Sequence, residues 1–446
     1  MSANTLDTLS DLVRRAIAKG ADAADAVFAS GTAVATGVRN GVTEELERSE
    51  TTDLGLRVFV GNKAAIVSAT TLEPARFDSL AEQALAMARV LPEDRFAGLA
   101  ENSLRGVYNT NTLDLADTAE PDTKTLLERA REGEEAALAI KGVTNSAGSQ
   151  ASWGRSQIAL VTSRDFAGTY TRTSHGTSVC VLAGQGEDMQ RDYDYHGTAH
   201  LTDLESAAAL GKKAGENAVA RLNPVRPRTG HYPVVFHPRV ASSFLGHFIG
   251  AVNGSSIARG TSFLKEKMGQ QIFADNVTIT DDPARPRGLR SRPFDGEGLN
   301  TGLLTLIENG VLKSWVLDSR SARQLGLSSN GRAARGTSGP PSPSATNLAF
   351  GPGEVSPAAL IADIKEGLYI TEMMGSSVNA LTGDYSRGAS GFMIRDGQIA
   401  EAAAGFTLAG NLTDIFASLV LADDLVFRFG TNAPTLRTDA LNIAGA

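Results

Sequence analysis

The chain is poor in most of the side chains that mark a working site. One cysteine, Cys180, stands in 446 residues, which excludes an internal disulfide and any multi-cysteine metal cluster and fits a reducing compartment. Cys180 itself, in "GTSVCVLAG", reads as a small apolar strand residue. No run of about 18 apolar residues occurs, so no membrane span is expected. The opening "MSANTLDTLSDLVRRAIAKG" lacks the unbroken apolar core of a signal peptide and repeats Leu6, Leu9, Val13 and Ile17 at helical spacing instead. A cytoplasmic protein is expected. Basic charge is scarce too: the net charge is −8, with lysine and arginine scattered, so nucleic acid is not expected as a direct partner.

Familiar catalytic signatures are equally absent. There is no GxxxxGK[ST] loop, and "GQGEDM" and "GEGLNT" each lack the third glycine of a dinucleotide fingerprint. In "RGASGF", Ser390 has Gly388 before it but Phe392 where a nucleophile elbow needs glycine. The acidic pairs Asp281-Asp282 and Asp295/Glu297 sit beside "DDP" and "FDGEG" and read as turn formers.

What is present is the pattern of an α+β protein, long enough for two or three domains. Helix, β-meander and helix follow one another over 1–110 and again over 111–224, with a polar linker near 92–122. "NPVRPRTG" at 223–230 breaks the chain and opens a β-rich domain over 225–446. Hairpins are predicted at Asn40-Gly41, Asn309-Gly310 and Asp396-Gly397, dipeptides that favour type I′ turns. Thr202 and Glu205 predict a capping box for a helix over 203–221. The stretch "SSNGRAARGTSGPPSPSATN", 328–347, is long enough to be either functional or disordered.

Six histidines remain to be weighed. His196 and His200 copy the spacing of a zinc-binding helix, but "RDYDY" before them alternates like a strand, and four extended residues separate the rings by about 13 Å. Both are expected in loops or at the surface. His175 is expected at a turn, and His231 and His237 at the ends of a strand. The last, His247, lies on a helix expected from Pro238. There Val240, Phe244, Phe248 and Val252 form a buried stripe, while Ser242, Gly246, Gly250 and Gly254 line a second stripe of small residues. Helical glycines cost about 1 kcal/mol each, so close packing or a passing ligand is expected there.

"RGTSFLKEKMGQQIF", "FDGEG", "GLLTLIENGVLKSWVLDSRSARQLG", "TGDYSRGASGFMIRDGQ" and "LAGNL" occur in this order, and on them the chain resembles the TldD/PmbA family over essentially its full length. In the TldD branch the resemblance implies a zinc site made by HExxxH on this helix and a later cysteine. Aligned on "RGTS", those positions hold Leu245, Gly246 and Gly250, none of which can bind zinc or move a proton, and His247 points about 200° around the helix from the first of them. The chain therefore resembles the PmbA (TldE) branch. This implies no catalytic or metal-binding residue and no cofactor in this chain, zinc in a TldD-like catalytic subunit, a heterodimer with that subunit, and unfolded peptides as substrates. The surface facing peptide or partner is expected at His247, Asn253, Gly254, Arg259, Thr261, Ser262, Asp384, Tyr385 and Arg387. Two alternatives stay open: a stand-alone hydrolase with an unrecognised centre, and a non-proteolytic interaction protein acting on gyrase or a toxin–antitoxin system.

Overall fold

Alternating patterns in the first half resolve into one sheet of long strands. The structure, a computed structural model, describes residues 2–101, 111–300 and 302–446; part of the 92–122 linker thus lies outside the described residues. The first half runs α1 (Ser2–Ala18), β1 (Ala23–Arg39), β2 (Val42–Val60), β3 (Lys63–Ala69), α2 (Phe77–Val90), α3 (Thr123–Leu138), β4 (Val143–Thr162), β5 (Phe166–Ala183), β6 (Gln190–Thr198) and α4 (Ala207–Ala220). Its strands form an antiparallel sheet in the order β3-β2-β1-β4-β5-β6, joined in the middle by β1 and β4.

Period-two alternation puts the even residues of β1 on one face. Ala24, Ala26 and Phe28 pack under α1 and α2, and Val34 and Val38 pack under α3. The opposite face turns to the second half of the chain, where Val27 and Leu160 meet Phe166 and Phe294. The α4 helix is capped by Ser206, which accepts from the Ala209 N–H at 3.2 Å, not by the predicted Thr202. Residues Leu201–Asp203 close a separate 3₁₀ turn and take Thr202 out of reach.

The second half contains β7 (Gly230–His231), β8 (Val234–Phe236), α5 (Pro238–Ala251), α6 (Gly254–Ala258), β9 (Ile279–Asp281), β10 (Leu304–Glu308), β11 (Val311–Leu312) and α7 (Ser319–Leu325). There follow β12 (Ala333–Ala334), β13 (Ser342–Pro343), β14 (Leu348–Phe350), α8 (Pro357–Ile361), β15 (Glu366–Val378), β16 (Asp384–Arg395) and β17 (Gln398–Asn411). The chain ends with α9 (Leu412–Ser418), β18 (Val420–Leu421), β19 (Thr431–Asn432), β20 (Leu436–Thr438) and β21 (Asn442–Ala444). An eight-stranded sheet centred on β15, β16 and β17 and a five-stranded sheet, β11-β10-β9-β14-β19, enclose one large core around Phe236, Phe244, Phe248, Phe273 and Phe416. Both central residues of the turns at Asn40-Gly41, Asn309-Gly310 and Asp396-Gly397 have positive φ, as type I′ geometry requires. No helix among the described residues is long and apolar enough to cross a membrane.

Residues 328–347 form a packed strap. β12 pairs with β13, wholly buried Arg332 pairs with Asp281, and Arg335 reaches Asp25 of β1 at 2.6 Å. Arg57 of β2 pairs with the same Asp25. A second ionic seam joins the halves at Asp192 of β6, which takes Arg221 at 3.0 Å and Arg239 of α5 at 2.8 Å.

Candidate functional site

The α5 helix starts where Pro238 supplies a preset φ in the first turn and His237 caps it, its Nδ1 accepting from the Arg239 N–H at 3.1 Å. His237 thus lies at the end of β8, as expected, and also serves as the N-cap of α5. The apolar stripe folds as its spacing predicts: Val240, Phe244, Phe248 and Val252 are all buried, with Phe244 edge-on to Phe236 and Phe248 edge-on to Phe273.

The stripe of small residues divides in two. Gly246 and Gly250 are exposed, and no atom lies within 4 Å of where a Cβ would stand. At Gly254 a Cβ would stand 2.6 Å from Ser321 Oγ and 2.8 Å from the Val316 carbonyl oxygen. Close packing explains Gly254 alone; the other two leave bare helix backbone open to solvent. Leu245, at the first ligand position, is wholly buried in the core. Leucine and glycine carry no side-chain nitrogen, oxygen or sulfur, so the residues at these three positions do not fit a zinc ion. Among the described residues, no group of three or more His, Cys, Asp or Glu is placed to hold a metal ion.

The structure brings three of the singled-out residues together beside this open face. The His247 ring stands edge-on to Tyr385 with centroids 5.7 Å apart, and its buried Nε2 has no hydrogen-bond partner. Burial, then the Arg387 charge, push the imidazole down to about 4, so it is neutral near pH 7. Tyr385 donates to Met373 Sδ at 3.2 Å, and burial pushes its phenol up to about 12. Asp384 stands apart at the hairpin end, accepting from Thr382 Oγ1 at 2.6 Å and Asn411 Nδ2 at 3.2 Å.

Asn253, Gly254 and Ser262 form the joint between α5 and α6. Asn253 caps α6 and donates to the Pro343 carbonyl at 3.0 Å, while Ser262 donates to the Ala251 carbonyl at 2.6 Å. Arg259 and Thr261 lie exposed just beyond.

Of the other histidines, His231 ends β7 and His200 lies in the loop after β6, as expected, whereas His175 and His196 fall within β5 and β6. His175 lies buried inside β5 opposite Trp153, because the Ser/Thr/Gly-rich stretch that reads as a turn continues a long ladder. His200 is buried, with Nε2 2.8 Å from the Asp114 carbonyl oxygen, and His196 Nδ1 accepts from the Glu205 N–H at 3.2 Å. Asp295 is the turn former its context predicts, with one carboxylate oxygen accepting from both Glu297 and Leu299 N–H at 2.9 Å. Glu297 is more unusual. Burial, followed by the neighbouring Asp295 charge, pushes its carboxyl up to about 7, and it lines a cleft of about 540 Å³ with Arg57, Asp94 and Ser255.

Sequence reasoning did not find the buried ionic constellation of Asp192 with Arg221 and Arg239. Its signal is the alternation of Asp192 and Asp194 on one face of a strand that has to be covered.

Comparison with known proteins completes this picture. Models of the PmbA/TldA metallopeptidase C-terminal domain, central domain and domain 1 match residues 229–445, 116–222 and 24–88. The metalloprotease PmbA of Escherichia coli O157:H7 is 33% identical over 95% of this chain and 92% of its own length. A PmbA homologue of Haemophilus influenzae is 32% identical over 90% and 88%. The fold matches TldE from Thermococcus kodakarensis with a TM-score of 0.86 at 20% identity, covering 98% of this chain and 100% of that one. It also matches a protein from Bacteroides thetaiotaomicron described as a candidate modulator of DNA gyrase, with a TM-score of 0.91 at 24% identity over 99% and 98%. The chain belongs to the PmbA/TldD family of metallopeptidases.

Proposed function

We propose that this chain is the subunit of a TldD/TldE-type heterodimeric metalloprotease that carries no metal site, and that a TldD-like subunit holds the zinc and the base that activates water. One observation carries the reading: the helix that holds the metal in the catalytic branch here presents buried Leu245 and two open glycines, Gly246 and Gly250. The open helix face, half-buried His247 and Arg387, and the exposed Met374 and Leu381 of the same hairpin form the surface turned to partner or peptide, with buried Tyr385 supporting His247 from the core side. Unfolded peptides suit such a complex, since main-chain hydrogen bonds to a sheet edge bind an extended chain with little sequence preference.

Co-purification with a TldD-like protein, followed by metal analysis of each subunit and peptide cleavage assays, tests this. Expected are a stable complex, zinc in the partner only, and cleavage only by the mixture. Stoichiometric zinc in this chain, or cleavage by it alone, overturns the reading; a complex without cleavage favours a non-proteolytic interaction protein.

A second reading, a stand-alone hydrolase, is favoured by Glu297, whose carboxyl at about 7 borders a cleft as a general acid or base requires. It requires hydrolysis by the isolated chain that Glu297→Gln abolishes.

A further inference from the structure

The β1–β2 hairpin outruns the strand beside it. β2 pairs with β1 from Val42 to Phe59, whereas β3 pairs with β2 only from Leu54, opposite Ala69, to Val60, opposite Lys63. Among the described residues, no strand or bridge pairs with the outer side of residues 42–53. At about 3.4 Å per residue this stretch makes an open edge about 40 Å long. In an antiparallel pair every second residue turns its N–H and C=O away from the partner strand, so half of the stretch offers free donors and acceptors.

This edge lacks the usual guards against pairing. Its sequence, "VTEELERSETTD", contains neither proline nor lysine. Pairing with β1 runs without a break from Glu45, opposite Gly37, to Asp53, opposite Ala29, and the one irregularity lies nearer the turn, between Gly37 and Val38. The regular part therefore presents a continuous row to an incoming strand.

Alternation sorts the charges along that row. Glu45, Glu47 and Asp53 share one face with Ser49 and Thr51. Directly opposite the three carboxylates, β1 supplies Gly37, Ala35 and Ala29, which carry no counter-charge. Glu45 accepts from the neutral Gln150 amide at 2.8 Å. The ion pairs of the stretch lie elsewhere: Glu44 meets Arg39 at 3.9 Å and Glu50 meets Arg48 at 2.7 Å, while Arg131 of α3 donates to Thr43 at 3.4 Å beside the turn.

We propose that residues 42–53 of β2 bind an extended basic peptide as an added strand. The peptide main chain completes the hydrogen bonds of the edge, and lysine or arginine at every second position lies against Glu45, Glu47 and Asp53. A second copy of this chain fits less well, because it would bring the same carboxylates against each other. Such binding needs neither zinc nor a partner subunit.

Fluorescence anisotropy of the full chain with a labelled dodecapeptide alternating threonine and lysine tests this. A threonine–glutamate dodecapeptide and the threonine–lysine peptide N-methylated at every backbone amide serve as comparisons. The unmodified basic peptide is expected to bind at least about tenfold more tightly than either, since one comparison reverses the charge and the other removes the main-chain donors. Hydrogen–deuterium exchange is expected to slow in residues 42–53 when it binds. Glu45→Lys/Glu47→Lys is expected to weaken binding by about tenfold or more and to leave the ligand-free melting temperature unchanged. Equal binding of the acidic or N-methylated peptide, unslowed exchange in residues 42–53, or unchanged affinity in the double variant overturns the proposal. So does slowing of the same amides as the concentration of the chain alone rises, which makes the edge a contact between copies. A TldD-like subunit that slows them and shuts the peptide out makes it a seam between subunits and overturns the proposal as well.

Discussion

The two halves of the chain are held together by different means. In the first half, β1, β2, β4 and β5 run for 17, 19, 20 and 18 residues, and the stabilisation is spread along their ladders and under alanine-rich helices. In the second half many strands are two or three residues long, and loops are fastened by buried carboxylates. Asp281 binds the Thr346 N–H and Arg332, Asp295 binds the N–H groups of Glu297, Leu299 and Ala333, and Asp318 binds the Ser321 N–H at 2.8 Å. A ladder shares its load; a staple concentrates it. The half that carries the family's diagnostic helix is thus the one in which single side chains matter most.

That contrast breaks first at Asp281. Asp281→Asn leaves wholly buried Arg332 without its counter-charge and is expected to cost about 3–5 kcal/mol in urea unfolding, whereas Thr32→Val on the long sheet is expected to stay within about 0.5 kcal/mol. Equal losses at the two positions would remove the distinction.

The pH dependence sharpens it next. Glu297 has a folded value of about 7 against an ordinary 4.5, so its contribution is full below 4.5 and is lost as pH rises through 7. His237 has a folded value of about 4 against 6.5, so its contribution is full above 6.5 and is lost as pH falls toward 4. Glu297→Gln is expected to gain stability over the parent as pH rises from 4.5 to 7, by on the order of 3 kcal/mol. Urea midpoints at several pH values measure this, and a gain that does not grow with pH contradicts it.

Smaller effects separate the two ends of the α5 stripe. Gly254→Ala forces a Cβ against Ser321 and the Val316 carbonyl and is expected to cost about 1–3 kcal/mol. Gly246→Ala, in open space, is expected to stabilise by about 0.5–1 kcal/mol. Thermal unfolding of the two variants decides this, and a change of the same sign in both would rejoin the stripe into one feature.

What could be read in the sequence was local. The Asn-Gly and Asp-Gly turns, the Val240–Phe244–Phe248–Val252 stripe and the donor-free residues at 245, 246 and 250 each depend on a few neighbouring positions. His175 was hidden because Ser, Thr and Gly suit a turn, and only the register opposite Trp153 shows that β5 continues through it. The Asp192 constellation was hidden for a related reason: Arg221, Arg239 and Glu372 converge from three separate elements that no sequence window spans. The pairing of β1 with β4, more than a hundred residues away, is of the same kind.

Asp192 holds Arg221 just past α4 with one carboxylate oxygen and Arg239 of α5 with the other, and Arg221 also grips Glu372 of β15 at 2.5 Å. This clasp forbids a hinge. Rotating one half against the other would break the Asp192–Arg239 and Arg221–Glu372 pairs at once, so the molecule behaves as a stiff bracket, and any protein that docks on α5 has its bearing set relative to the long strands before contact is made.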